Sequence, residues 1–291
     1  MKKYFLPALI FSLLASCLFP KPIDIKLPET EKKLAVSSVV IPGNIMTVSV
    51  SYSFSALTNK KDSSGNMVFD STTYRQFLVE HARVTIRYAG RTDTLFKIVP
   101  GVYGSLSTLQ IPNESYTLDV YDSTTYLHII AQSTMLPRVN FDTLYFTKKK
   151  TSLDTSVEVH FMIDDDKTKE NYYLVSYYNL AASPIYKSLF SNPSSGSFVQ
   201  NEIYSDKITD ALGRIDVTNR LDLPNTNDTL IVQLANISKA YYDYLSAYKR
   251  SNQLVFQLLG EPVNIPTNIQ GGYGFFGTFN PTLRITDLSK L

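Results

Sequence analysis

The sequence predicts a mainly β protein of two antiparallel sandwich-like domains, with one helix in the second. Three observations carry that reading. Short segments alternate apolar and polar residues, turn-forming residues separate them at sandwich-like spacing, and a single stretch repeats with a helical period. Met46 to Phe54 alternates without a fault, so Met46, Val48, Val50, Tyr52 and Phe54 share one face of a half-buried strand. The polar stretch from Thr58 to Thr73 reads as a long loop. Ala82 to Tyr88 alternates again through Val84, Ile86 and Tyr88, and Ala89-Gly90-Arg91 turns it toward a strand from Thr94 to Val99. Pro100-Gly101 is a turn. Tyr116 to Tyr121 and Tyr126 to Ala131 are two further strands, joined by the turn residues Asp122 to Thr125.

The lysine tract within Thr147 to Thr151 marks the expected boundary, giving domains 34–147 and 152–291. Beyond it, Ser156 to Met162, Tyr172 to Tyr178, and the stretch through Leu230, Val232 and Leu234 form strands. Ser191 to Ser197 is a loop. Near 237–250, Ile237, Tyr241, Tyr244, Leu245 and Tyr248 fall on one helical face, with Asn236 or Ser238 available as N-cap. The chain closes with a strand from Leu254 to Leu258, the glycine-rich Asn268 to Gly277, and a short strand near Leu283 to Ile285.

The N-terminus fixes the expected location. Lys2 and Lys3 precede an apolar run from Phe5 to Leu14, which is the length of a secretory leader and too short to span a bilayer. Leu14-Ala15-Ser16-Cys17 contains the only cysteine and resembles the bacterial lipobox. That resemblance implies cleavage between Ser16 and Cys17 and acylation of Cys17, with residues 1–16 removed. Two or three acyl chains hold a protein on a membrane where one does so marginally. Residues 17–33, with three prolines and mixed charge, then form the lipidated cysteine and an extended tether. Loss of Lys2 and Lys3 leaves 26 basic and 26 acidic side chains, a balance unsuited to nucleic acid. An acylated Cys17 also leaves no thiol for disulfides, metals or nucleophilic catalysis.

Few residues invite chemistry. Gly272, Gly274 and Gly277 spell a dinucleotide fingerprint, but too little chain follows for the helix and sheet that it requires, so the segment reads as a closing strand or bulge. Asp164, Asp165 and Asp166 are the candidate hard-cation ligands, without the spacing or glycine of an EF-hand, and read as a solvated acidic turn. His81, His128 and His160 belong to no zinc motif, and no serine sits in a nucleophile elbow. No cofactor and no enzymatic activity are expected. Asp-Ser/Thr triplets at Asp70, Asp93, Asp122, Asp142 and Asp228 resemble an O-glycosylation motif of exported Bacteroidetes proteins. The aromatic residues Tyr241, Tyr244, Tyr248, Tyr273, Phe275 and Phe276 are the candidate interface.

The Ala-x-Val-x-Ile strand at 82–86, Pro100-Gly101-Val102-Tyr103 and the Tyr116 strand together resemble transthyretin-like sandwiches, including carboxypeptidase regulatory domains. With the lipobox cysteine, Thr134 to Pro137, Asn171-Tyr172-Tyr173 and the ending Asn268 to Gly277, the chain resembles the Bacteroidetes lipoprotein family called domain of unknown function 4249. The resemblance implies an outer-membrane lipoprotein of the cell envelope that works beside a TonB-dependent receptor in capturing or presenting a nutrient. An adhesin or fimbria-like subunit is the alternative expectation, and an anchored hydrolase the third.

Overall fold

A computed structural model describes residues 31–41, 45–53, 75–150, 155–164, 166, 168–179, 198–208, 213–223, 229–251 and 264–291. The leader, Ser16, Cys17, the tether to residue 30, the loop at 58–73, the Ser191 to Ser197 loop and the strand expected at Leu254 to Leu258 lie outside the described residues. The protein is mainly β with one long helix among the described residues. In chain order the strands are β1 (Leu34–Ile41), β2 (Ile45–Tyr52), β3 (Ala82–Tyr88), β4 (Arg91–Val99), β5 (Val102–Ser105), β6 (Ser115–Asp122), β7 (His128–Thr134) and β8 (Thr143–Lys150). Then follow β9 (Thr155–Asp164), β10 (Tyr172–Asn179), β11 (Phe198–Ser205), β12 (Arg214–Leu221), β13 (Thr229–Asn236), helix α1 (Lys239–Ser251), β14 (Ile269–Gln270), β15 (Tyr273–Phe275) and β16 (Thr282–Asp287).

Nine strands form one sheet in the order β14, β7, β6, β3, β4, β5, β2, β1, β15. Its neighbours are antiparallel except at one edge, where β15 runs parallel to β1, so the sheet is mixed. The two outermost strands, β14 and β15, are separated in sequence by Gly271 and Gly272 alone. One short segment therefore pairs with β7 on one side and β1 on the other, and the sheet nearly closes into a barrel. Alternation supplies the interior: Val48, Val50, Val84, Ile86, Leu118 and Val120 are all fully buried in one cluster. Phe276, also fully buried there, comes from the closing segment, and burial of such a ring stabilises by roughly 1.5–3 kcal/mol.

Glycine makes the closure sterically allowed. At Gly274, with φ of +92°, a Cβ would lie 1.9 Å from the Val36 carbonyl oxygen. At Gly272 it would lie 2.5 Å from the Leu34 carbonyl oxygen and 2.9 Å from Ile129. Both side chains are absent because β1 and β7 occupy their space. The dinucleotide fingerprint is thus a closing segment, as its sequence context implies.

The remaining strands form a four-stranded sheet, β11, β10, β13, β16, and a three-stranded sheet, β12, β9, β8, both antiparallel. Their inner faces share one core, in which Val159, Phe161 and Ile215 of one sheet meet Val175, Tyr177, Val232 and Leu234 of the other. Lys148 to Lys150, within the tract expected as a boundary, form the end of β8 and pair with Val157, Ser156 and Thr155 of β9. From the C-terminal half, β14 and β15 join the nine-stranded sheet. The core of β12 contains one polar residue, Asn219, whose amide donates to the Tyr177 and Tyr204 hydroxyls at 2.7 and 2.5 Å. That pairing satisfies a half-buried amide on the inner face of the strand.

Candidate functional site

The helix that carries three of the expected interface residues begins where Ser238 caps it, its hydroxyl accepting the Tyr241 N–H at 3.2 Å. Lys249 and Arg250 in its last turn complement the helix dipole. Tyr241 is turned inward, stacked on Phe275 at 5.2 Å and Phe279 at 6.1 Å. A Cβ on Gly277 would lie 3.0 Å from the Tyr241 ring, so this glycine admits the helix to the closing segment. Burial pushes the Tyr241 hydroxyl well above the ordinary tyrosine range. The expectation of an interface is corrected for Tyr241, Phe275 and Phe276, which are covered by their own chain. The sequence pattern could not separate a helix packed on aromatic residues from one offering them to a partner.

Tyr244 and Tyr248 continue the ladder outward. Tyr244 stacks on Tyr241 at 6.1 Å and on Tyr248 at 6.2 Å, and Tyr248 is 51% exposed. Tyr273 is also exposed, with the Lys33 ammonium 5.5 Å from its ring centroid. Among the six aromatic candidates, Tyr244, Tyr248 and Tyr273 therefore remain within reach of a partner.

The acidic candidates do not converge. Asp164 ends β9 directly across from Arg214. Asp166 accepts hydrogen bonds from the Thr168 hydroxyl and N–H at 2.6 and 3.0 Å and pairs with Lys169 at 3.0 Å. Those bonds, the hydroxyl first, hold its carboxyl down to about 2. Asp165 lies outside the described residues. Among the described residues no three His, Cys, Asp or Glu side chains gather to hold a metal, and no helix is long and apolar enough to cross a membrane.

Two histidines lie on outer sheet faces beside a tyrosine and a carboxylate. On β7, His128 meets Asp119 at 3.2 Å and the Tyr121 ring edge-on at 6.3 Å, with Arg87 4.0 Å from the same carboxylate. On β9, His160 stacks on Tyr145 at 4.6 Å, shares a hydrogen bond with the Thr218 hydroxyl at 2.7 Å, and approaches Glu158 at 3.5 Å. The order hydroxyl, imidazole, carboxylate is that of a nucleophile relay. Around it, β9 is paired on both sides by β8 and β12, so its N–H groups are engaged in the ladders rather than aimed at a reacting oxygen. His81 is exposed and joins neither group.

Asp122, the last residue of β6, is fully buried, and its surroundings are structural. Its carboxylate accepts from the Tyr52 hydroxyl at 2.6 Å, the Thr125 hydroxyl at 2.5 Å and the Thr124 and Thr125 N–H groups. Burial alone would raise its pKa. The hydrogen bonds from Thr125 and Tyr52 outweigh that and lower it. Asp93 likewise accepts from the Tyr88 hydroxyl at 2.9 Å. These two triplets have an intramolecular use, Asp142 precedes β8, and Asp70 and Asp228 lie outside the described residues.

Exposed apolar side chains outside the sequence-predicted candidates lie on β4 and in the segment after β5. Leu95 faces the core, so Phe96 and Ile98 face out on β4. Phe96 is 53% exposed and sits opposite Gly104 of β5, while Ile98 reaches across the same glycine, its Cδ1 2.6 Å from where a Cβ would be. Leu106, 76% exposed, and Leu109 follow as the chain leaves β5. The available signal was that Leu95, Phe96, Ile98 and Val99 occupy both phases of one strand. Such a strand is either covered twice or exposes an apolar face.

No curated protein matches the chain. Among solved structures, the chicken interferon gamma receptor alpha chain aligns with 72% of this chain and 90% of its own at 7% identity, with a TM-score of 0.21, too low to bear on fold or function. The match that decides kinship extends over nearly all of the sequence. With its model matched across residues 20–284, the chain belongs to the family described as Domain of unknown function (DUF4249).

Proposed function

We propose that this is a non-enzymatic, lipid-anchored accessory protein of the outer membrane, held by acylated Cys17, that partners a TonB-dependent transporter in capture or presentation of a nutrient. The observation that carries the reading is the exposure of Phe96 and Ile98 on β4 and of Leu106 and Leu109 in the segment after β5. Exposed large apolar side chains, where they gather, mark surfaces that meet another macromolecule. An anchored partner confined to a membrane gains from a high effective concentration and needs only a modest docking surface. In keeping with that partnership, we read 34–147 and 152–291 as two sandwich-derived domains, the first of transthyretin-like descent, with β14 and β15 of the second half completing the sheet of the first. The consecutive antiparallel pairings of β3 with β4 and β6, and of β6 with β7, support that descent.

The test is affinity capture of a C-terminally tagged chain from gently solubilised outer membranes, beside a Cys17→Ala control, read by mass spectrometry. Recovery of a TonB-dependent receptor with the anchored form alone supports the proposal. Recovery of the protein by itself in every preparation counts against it, and a ladder of its own copies favours the fimbria-like alternative.

A further inference from the structure

We propose that the outer edge of β16 accepts an extended strand from another protein, one that places a carboxylate opposite Arg284 and an apolar side chain beside Ile285. The sheet edges differ in how they are protected. The nine-stranded sheet closes through β14 and β15, which leaves the outermost strands of the two smaller sheets. In β8 the last three residues are Lys148, Lys149 and Lys150, and β12 exposes Arg214 and Asp216. Such charges keep an edge from pairing with stray strands. In β11, Glu202 is tied to the helix by Lys249 at 2.7 Å.

β16 differs from all three. It pairs with β13 from Thr282 to Asp287, and among the described residues nothing pairs with its other side. Ile285 is 66% exposed on this edge. The adjacent Arg284 is exposed, and its guanidinium has no carboxylate partner among the described residues. A strand laid along this edge gains main-chain hydrogen bonds and covers Ile285, which is the mode of β-augmentation.

Arg284 selects the occupant. When two copies of β16 pair antiparallel about Ile285, the two Arg284 side chains become diagonal neighbours on one face, about 7–8 Å apart. Pairing about Arg284 sets them directly opposite. Like charges so placed oppose a second copy, while a foreign strand with Asp or Glu at that position converts the same cation into an attraction. This holds whether or not the partner is a transporter.

The experiment uses the full mature chain, kept soluble by Cys17→Ser and labelled with ¹⁵N. The probes are two synthetic peptides, Thr-Val-Asp-Val-Asp-Val-Thr and Thr-Val-Lys-Val-Lys-Val-Thr. The aspartate peptide is expected to shift amide resonances of β16 and slow their hydrogen exchange, binding at least tenfold more tightly than the lysine peptide. Arg284→Glu is expected to reverse the preference, and Ile285→Lys to abolish binding of both peptides with Tm unchanged. Equal binding of the two peptides, or shifts away from β16, would overturn the proposal. So would concentration-dependent protection of β16 without peptide, since that identifies a second copy as the occupant.

Discussion

Replacing Gly274 by alanine tests whether closure of the nine-stranded sheet is as tight as its geometry requires. A Cβ there lies 1.9 Å from the Val36 carbonyl oxygen and 2.9 Å from its carbonyl carbon, both backbone atoms of the paired strand. No side chain can rotate to relieve that contact, so β15 must move off β1. The movement breaks the pairing of Ala35, Val36 and Ser37 with Tyr273, Gly274 and Phe275, at roughly 1 kcal/mol per hydrogen bond. The left-handed backbone of Gly274 adds about 1–2 kcal/mol for any residue bearing a Cβ. Together these give a loss of about 3–5 kcal/mol. Gly90→Ala is the control, because Gly90 also has positive φ, +71°, with nothing within 4 Å of its would-be Cβ. It carries the backbone penalty alone, about 1–2 kcal/mol. Urea unfolding of both variants, fitted with a common m-value, measures the difference. Equal destabilisation of the two, within about 0.5 kcal/mol, would refute the close approach as the reason for glycine.

Tyr52→Phe leaves the buried Asp122 carboxylate one donor short and is expected to lower stability by about 1.5–3 kcal/mol, measured by the same denaturation. The Tyr52 hydroxyl is pushed up to about 12, first by burial and then by Asp122. Its folded value exceeds the unfolded one, so its contribution is complete below about pH 10 and is lost as pH rises through about 12. Unfolding midpoints followed across that alkaline window should fall less steeply for Tyr52→Phe than for the wild type. The Ser38 hydroxyl donates to the Gly277 carbonyl at 2.6 Å and accepts the Gly277 N–H at 2.7 Å. Ser38→Ala should therefore cost about 1–3 kcal/mol, and an unchanged denaturation midpoint would contradict that. Tyr248→Ala should change stability by no more than about 0.5 kcal/mol, whereas Tyr241→Ala should cost about 3–5 kcal/mol. Thermal melts separate the two ends of the aromatic ladder.

Much of the architecture was legible because the period of two is imposed by a one-sided core. The alternation of Met46, Val48, Val50 and Tyr52 placed all four inward, and the run from Ala82 to Tyr88 gave β3 to the residue. Strands whose alternation is broken escaped notice. β12 carries Asn219 where an apolar residue would continue the pattern, because two tyrosine hydroxyls receive its amide. β8 ends in lysines that guard an edge and therefore look like a linker. The glycine-rich ending announced close approach of backbone, but not that it joins the sheet's two outermost strands, since no local pattern encodes a partner more than 130 residues away in sequence, as with Asn268 and Gln132. At the candidate site, composition revealed aromatic residues without revealing which side of the surface they occupy.

The proposed role requires that the outward-facing apolar side chains of β4 and its neighbouring loop dock a transporter. The most direct measurement is quantitative capture of the anchored wild type beside the double variant Phe96→Ser, Leu106→Ser, both changes being at exposed positions. A TonB-dependent receptor is expected to be enriched with the wild type and reduced at least tenfold with the variant, at equal levels of folded, membrane-bound protein. Undiminished recovery with the variant, or no barrel protein with the wild type, would contradict it.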